Sequence, residues 1–142
     1  MRDGGVYLLL VNVAGRLRAD CGALGRLDFE PGLYAYVGRA RRGLAARLAR
    51  HHRRDKRLHW HIDYLLRALG SGQVSSLSLP AAGLAECRLA GLVRRSAAGL
   101  VPGFGCSDCR CPSHLFYLGA SPQWRRTEKL ATFGAARRRK SS

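Results

Sequence analysis

YAYVGRARRGLAARLARHH, residues 34–52, changes its period in the middle. Up to Gly38 large and small residues alternate, so Tyr34 and Tyr36 share one face of a strand. Past Gly43, Leu44, Ala45, Leu48 and Ala49 recur at helical spacing and predict an apolar stripe. Arg47, Arg50, His51 and Arg54 then occupy the adjacent face. That basic face is either a solvated flank or one wall of a site that handles phosphate.

Upstream, GVYLLLVNV is a continuous apolar run, and Ala14-Gly15 is a turn. RLRADC alternates as a half-exposed return strand, a glycine-bounded turn leads into RLDF, and EPG punctuates before LYAYVG. This predicts a meander of three or four antiparallel strands. Downstream, HWHIDYLLRAL predicts a second helix with Ile62, Leu65, Leu66 and Leu69 on one side and His59, Asp63 and Arg67 on another. QVSSLSLP reads as a short strand with Val74, Leu77 and Leu79 alternating. A third helix in GLAECRLAGLVRRSAA turns Leu84, Leu89 and Leu92 inward, and Gly99 stops it. VPGFGCSDCRCPS is an irregular loop, and HLFYLG is a final strand. The expected fold is α+β: a small antiparallel or mixed sheet with flanking helices, in one domain over residues 1–120. Residues 121–142, ending in RRRKSS, form a basic tail expected to be disordered and to touch nucleic acid only non-specifically.

The 25 Lys and Arg residues outnumber the 9 Asp and Glu, for a net charge of +16 over 142 residues. All but Lys56, Lys129 and Lys140 of these cations are arginine, whose planar fork suits phosphate oxygens. A polyanionic partner follows, with nucleic acid the expected one. No apolar run approaches the ~20 residues that span a bilayer, and the basic helix lacks large apolar anchors for a membrane surface. VYLLLVNVA lacks the flanks of a signal segment. Five cysteines, three of them within residues 106–111, do not form a secreted disulfide framework, so the expected compartment is a reducing cytoplasm.

Gly5-Val6-Tyr7 on a first strand, Tyr36-Val37-Gly38 on a later one, and a following helix with Arg47 and His51 resemble the GIY-YIG nuclease superfamily. HWHIDYLL, ECRLA and GFGCSDCRCPSHLFYLG sharpen the likeness to a compact branch of it, long catalogued as a domain of unknown function. The resemblance spans Gly5 to about Gly119. The gap between the two tripeptides is longer than in most GIY-YIG domains because an extra hairpin intervenes, an insertion usual in this branch.

The resemblance implies a divalent-metal-dependent DNA endonuclease acting in repair, recombination or genome defence. Its catalytic residues would be Tyr7, Tyr36, Arg47, His51 and Glu86. Glu86 would be the lone protein carboxylate on Mg2+ or Mn2+, an ion that keeps several waters and takes substrate phosphate. Arg47 would clamp the scissile phosphate, and Tyr7 would be the general base or orient the attacking water, with Tyr36 completing the proton path. His51 would accept a proton from Tyr7 or bind phosphate. Gly38 would let the backbone approach substrate, flanked by Arg39, Arg41, Arg42, Arg50 and Arg54 as nucleic-acid contacts. A tyrosine of ordinary pKa ~10 is a poor base at neutral pH, so Arg47 or the metal would have to favour its phenolate.

Two segments leave alternatives open. His59 and Asp63 are spaced as metal ligands, yet His59 equally suits a helix cap and Asp63 a pair with Arg67; Trp60 and Tyr64 suit base stacking or core. Cys106, Cys109, Cys111 and His114 offer four candidate zinc ligands in nine residues. The single residue between Cys109 and Cys111 departs from the usual paired knuckles, and in the resembling branch Cys106 looks replaceable by serine. The preferred reading is a glycine-shaped loop that lays Ser107 and Asp108 near the Glu86 helix. The competing function is a nucleic-acid-binding module of the same fold that does not cut, with a structural zinc in the cysteine loop; under either reading specificity comes from the domain's own surface or from a protein partner.

Overall fold

In the computed structural model, residues 4–53, 56–69, 74–80, 86–106 and 109–119 are described. Arg54, Leu84, Ser107, Asp108 and the tail from 121 lie outside them. Two long strands form the centre: β1 (Gly5–Val13) and β4 (Gly32–Ala40), antiparallel along their whole length from Gly5 opposite Ala40 to Val13 opposite Gly32.

The two short strands between them, β2 (Leu17–Asp20) and β3 (Arg26–Phe29), pair with each other as a separate ribbon. The extra hairpin is therefore present, but the expected meander is not. Its strands carry outward charges such as Arg18 and Asp28, which pair at 2.7 Å on the surface, whereas β1 and β4 are apolar on both faces. Only the latter can occupy the middle of a sheet covered on both sides.

Three further strands complete an antiparallel five-stranded sheet in the order β5-β1-β4-β7-β6, with β5 at Val74–Pro80, β6 at Gly99–Leu100 and β7 at Leu115–Gly119. One face, carrying Tyr7, Leu9, Val11, Tyr34 and Tyr36, packs on α1 (Leu44–His52) and α2 (His61–Leu69). The other, carrying Val6, Val37 and Phe116, packs on α3 (Glu86–Ser96) through Leu89 and Ala90.

Several expected faces are rotated. In α1 Leu44 and Leu48 meet the core, but Ala45 and Ala49 are exposed and His51 is buried. Two leucines remove more apolar area from water than two alanines, so the inward face centres on 44 and 48 and brings positions 47 and 51 with it. In α3 Leu92 is 47% exposed, because Leu89, Ala90 and Val93 form the buried stripe. Leu77 of the edge strand β5 is 51% exposed, since a two-residue repeat puts it opposite Val74.

The α1–α2 junction is fixed by polar groups. Asp63, fully buried, accepts from Arg50 Nη1 and Nη2 at 2.9 and 3.0 Å and from the backbone N–H groups of His59 and Trp60, both at 2.8 Å. Arg50 also donates to the Arg57 carbonyl at 2.8 Å. Lys56 Nζ donates to the Arg50 and His51 carbonyls at 3.1 and 2.9 Å, satisfying acceptors at the end of α1. Asp63 is thus a buried cap and anchor, paired with Arg50 and not with Arg67. Arg50, expected on nucleic acid, spends its fork inside the fold. Among the described residues, no helix is long and apolar enough to cross a membrane.

Candidate active site and a neighbouring thiol cluster

Tyr7 on β1 stands opposite Gly38 on β4. A Cβ at Gly38 would overlap the Tyr7 ring, so this glycine is required by the phenol that crosses its strand. Gly38 also lines the cleft, beside the strand end where close approach to substrate was expected. Tyr36 lies two residues back on the same face. Behind it, Gly105 has φ +70°, and a Cβ there would come within 2.9 Å of the Tyr36 ring.

The cleft in front of these rings has a volume of about 330 Å3. Tyr7, Tyr36, Arg47 and Glu86 all line it, although they come from β1, β4, α1 and the first turn of α3. Gly38 and Arg39 form one side. Arg47 is held in place: its Nη1 donates to the Arg39 carbonyl at 2.9 Å, and its guanidinium lies 4.6 Å from the centre of the Trp60 ring. Glu86 is the one carboxylate on the lining among the described residues.

His51 does not reach the cleft surface. It is 2% exposed, outside the cleft lining, and shares a 2.8 Å hydrogen bond between its Nε2 and the Tyr7 hydroxyl. Arg39, Arg41 and Arg42 are exposed. His59, Trp60 and His61 also line the cleft. The spacing of HWHIDYLL revealed the buried stripe of α2 but not that the residues preceding it wrap round a cleft. The signal available was the run of three aromatic rings before an apolar stripe. His61 is anchored there by the Gly105 N–H, which donates to its Nδ1 at 2.9 Å.

Burial dominates the electrostatics. It raises Tyr7 above its ordinary value, although a hydrogen bond and positive charge from Arg47 pull the other way. Tyr36 is raised by burial and then by Tyr7 and Glu86. Both phenols therefore rest protonated. Burial pushes His51 down to about 3, against the attraction of Asp63 and helped by Lys56, Arg50 and Arg47.

This makes a stability prediction. The unfolded imidazole takes up a proton below about pH 6.5, whereas folded His51 does not, so the unfolded state binds more protons and stability falls as pH drops through that window. Asp63, held below its ordinary value, adds a loss only at lower pH, near and below about 3.9. Among the described residues, His51 and His61, which burial also lowers, contribute to the slope between about pH 6.5 and 4.5, each by at most about 1.4 kcal/mol per pH unit. Urea midpoints at about pH 7 and pH 5 check it: His51→Gln should flatten the dependence, and an unchanged slope would exclude His51 as its source.

On the other side of Glu86 lies a second constellation. Sγ of Cys87, Cys109 and Cys111 and a ring nitrogen of His114 all lie within 4.8 Å of one another and could hold a metal ion. Cys87 comes from α3 and takes the place expected of Cys106, which is buried elsewhere and supplies its carbonyl to the Cys109 N–H at 3.3 Å. The tight Cys109-x-Cys111 spacing is accommodated because the fourth ligand arrives from another element. His114 Nε2 is 3.9 Å from Cys87 Sγ and 3.7 Å from Cys109 Sγ, and its Nδ1 sits 3.1 Å from Glu86 Oε2. The Cys111 thiol is raised by burial first and then by Cys87 and Cys109.

A family model described as a domain of unknown function, DUF123, matches residues 6–135 of this chain. No curated protein and no solved structure matches it. The chain belongs to the DUF123 family.

Proposed function

We propose that this DUF123 chain is a GIY-YIG-type endonuclease that hydrolyses phosphodiester bonds in DNA with Mg2+ or Mn2+. The observation that supports the reading is the meeting of Tyr7, Tyr36, Arg47 and Glu86 in one cleft from four separate segments. Packing alone gives no reason for two phenols, a guanidinium and a carboxylate to share one water-accessible hollow.

Glu86 fits a hard divalent cation: it offers carboxylate oxygens in an open cleft, with room for waters and substrate phosphate. Such an ion would neutralise phosphate charge and acidify a bound water. The protein groups divide the remaining work. Arg47, already oriented by the Arg39 carbonyl and Trp60, meets charge developing on the non-bridging oxygens without reorganising. Tyr7, whose phenolate is disfavoured by burial, orients the attacking water through its hydroxyl, and His51 fixes that hydroxyl from behind. Tyr36, protonated, donates to a phosphate oxygen. Arg39 and the exposed Arg41 and Arg42 extend positive charge from the cleft for the flanking backbone.

The test is incubation of the full chain with single-stranded, double-stranded, nicked and branched DNA and each metal. Cleavage that needs the metal upholds the proposal. Salt-sensitive binding without cleavage of any substrate points to the non-cutting module instead.

A further inference from the structure

We propose that Cys87, Cys109, Cys111 and His114 Nε2 form a tetrahedral Zn2+ site that fastens the start of α3 to the loop before β7. Three thiolates and an imidazole are a closed structural zinc set, and soft sulfur ligands select zinc over the hard ion suggested for the cleft. A tetrahedron with Zn–S of about 2.3 Å and Zn–N of about 2.0 Å has edges of roughly 3.5–3.8 Å. The two His114 separations, 3.7 and 3.9 Å, lie close to that, and no pair in the cluster exceeds 4.8 Å. On binding, the three thiols release their protons to solvent.

The surroundings are built for the role. The loop is tied by Gly103 N–H to the Pro112 carbonyl and His114 N–H to the Phe104 carbonyl, both at 2.8 Å, and the His114 carbonyl accepts from Val37 of β4 at 2.9 Å. His114 is 1% exposed, with Nε2 toward the thiols and Nδ1 toward Glu86. The Glu86 contact lacks hydrogen-bond geometry, so the ring is held by its burial and by the backbone bonds of its loop. Glu86 immediately precedes Cys87, so zinc also sets where Glu86 stands at the cleft.

The full chain without an affinity tag, purified and dialysed against metal-free buffer, is expected to retain about one zinc per molecule by elemental analysis. Cobalt exchanged into it should give the intense visible absorption of a tetrahedral thiolate site. Cys87→Ser and Cys111→Ser should lose the metal, whereas Cys106→Ser and Cys21→Ser should keep it. Wild-type chain with no tightly held zinc and no cobalt spectrum would overturn the proposal. So would a disulfide among the three thiols in protein kept under reductant, or loss of zinc in Cys106→Ser with retention in Cys87→Ser. These readings use no nucleic acid: a chain that holds zinc yet never cuts refutes only the nuclease reading, and one that cuts without zinc refutes only this site.

Discussion

Alanine at Arg47 is expected to slow phosphodiester cleavage by about two to three orders of magnitude while leaving the chain folded. The side chain lies half-buried at the cleft, where it touches the Arg39 carbonyl, the face of Trp60 and the Tyr7 hydroxyl. Losing these contacts costs the fold about 1–3 kcal/mol. Losing a preorganised donor at the proposed site of developing charge raises the barrier by about 3–4 kcal/mol. Lysine at 47 should recover only part of the rate, since an ammonium cannot reproduce the planar fork. Single-turnover cleavage of end-labelled DNA beside a urea melt checks both halves. An Arg47→Ala chain that cuts at the wild-type rate would remove Arg47 from the chemistry.

Arg50, three residues on, should behave in the opposite way. Its guanidinium neutralises the fully buried Asp63, which in turn holds the start of α2, so Arg50→Ala leaves an uncompensated carboxylate inside the protein. The expected loss of stability is about 3 kcal/mol, read from the urea midpoint. The folded fraction should cleave normally. A stable Arg50→Ala chain that cannot cut would reverse the roles assigned to the two arginines. Because both guanidinia lie 4.6 Å from the Trp60 ring centre, this contrast is a stringent one.

The difference between these arginines marks where the sequence stops being legible. Both sit on one amphipathic helix in a basic run, and periodicity identified the helix and its two leucines. It could not rank Arg47 above Arg50, because the buried carboxylate that takes Arg50 belongs to α2. The same holds for His51: its spacing from Arg47 was visible, but its burial depends on how α1 rolls onto the tyrosines of the sheet. The long strands, the hairpin between them and the buried stripe of α2 were readable from apolar patterning. The pairing of β1 with β4 was legible through the resemblance, which separates the two tripeptide strands by an inserted hairpin, whereas local turns taken alone favoured a meander. Cys87 carries no such signal, because it is distant in sequence from the Cys-rich loop and only the packing of α3 beside that loop brings this third thiol to the cluster.

Glu86 joins these threads, because it lines the cleft and stands 3.1 Å from His114. Cleavage of labelled DNA by wild-type and Glu86→Gln chains, each with Mg2+ or Mn2+ and each with chelator, is the most direct test of the proposed nuclease. The expected result is metal-dependent cutting by the wild type and none by Glu86→Gln. Cutting that persists in Glu86→Gln, or that does not respond to the metal, would contradict the assignment.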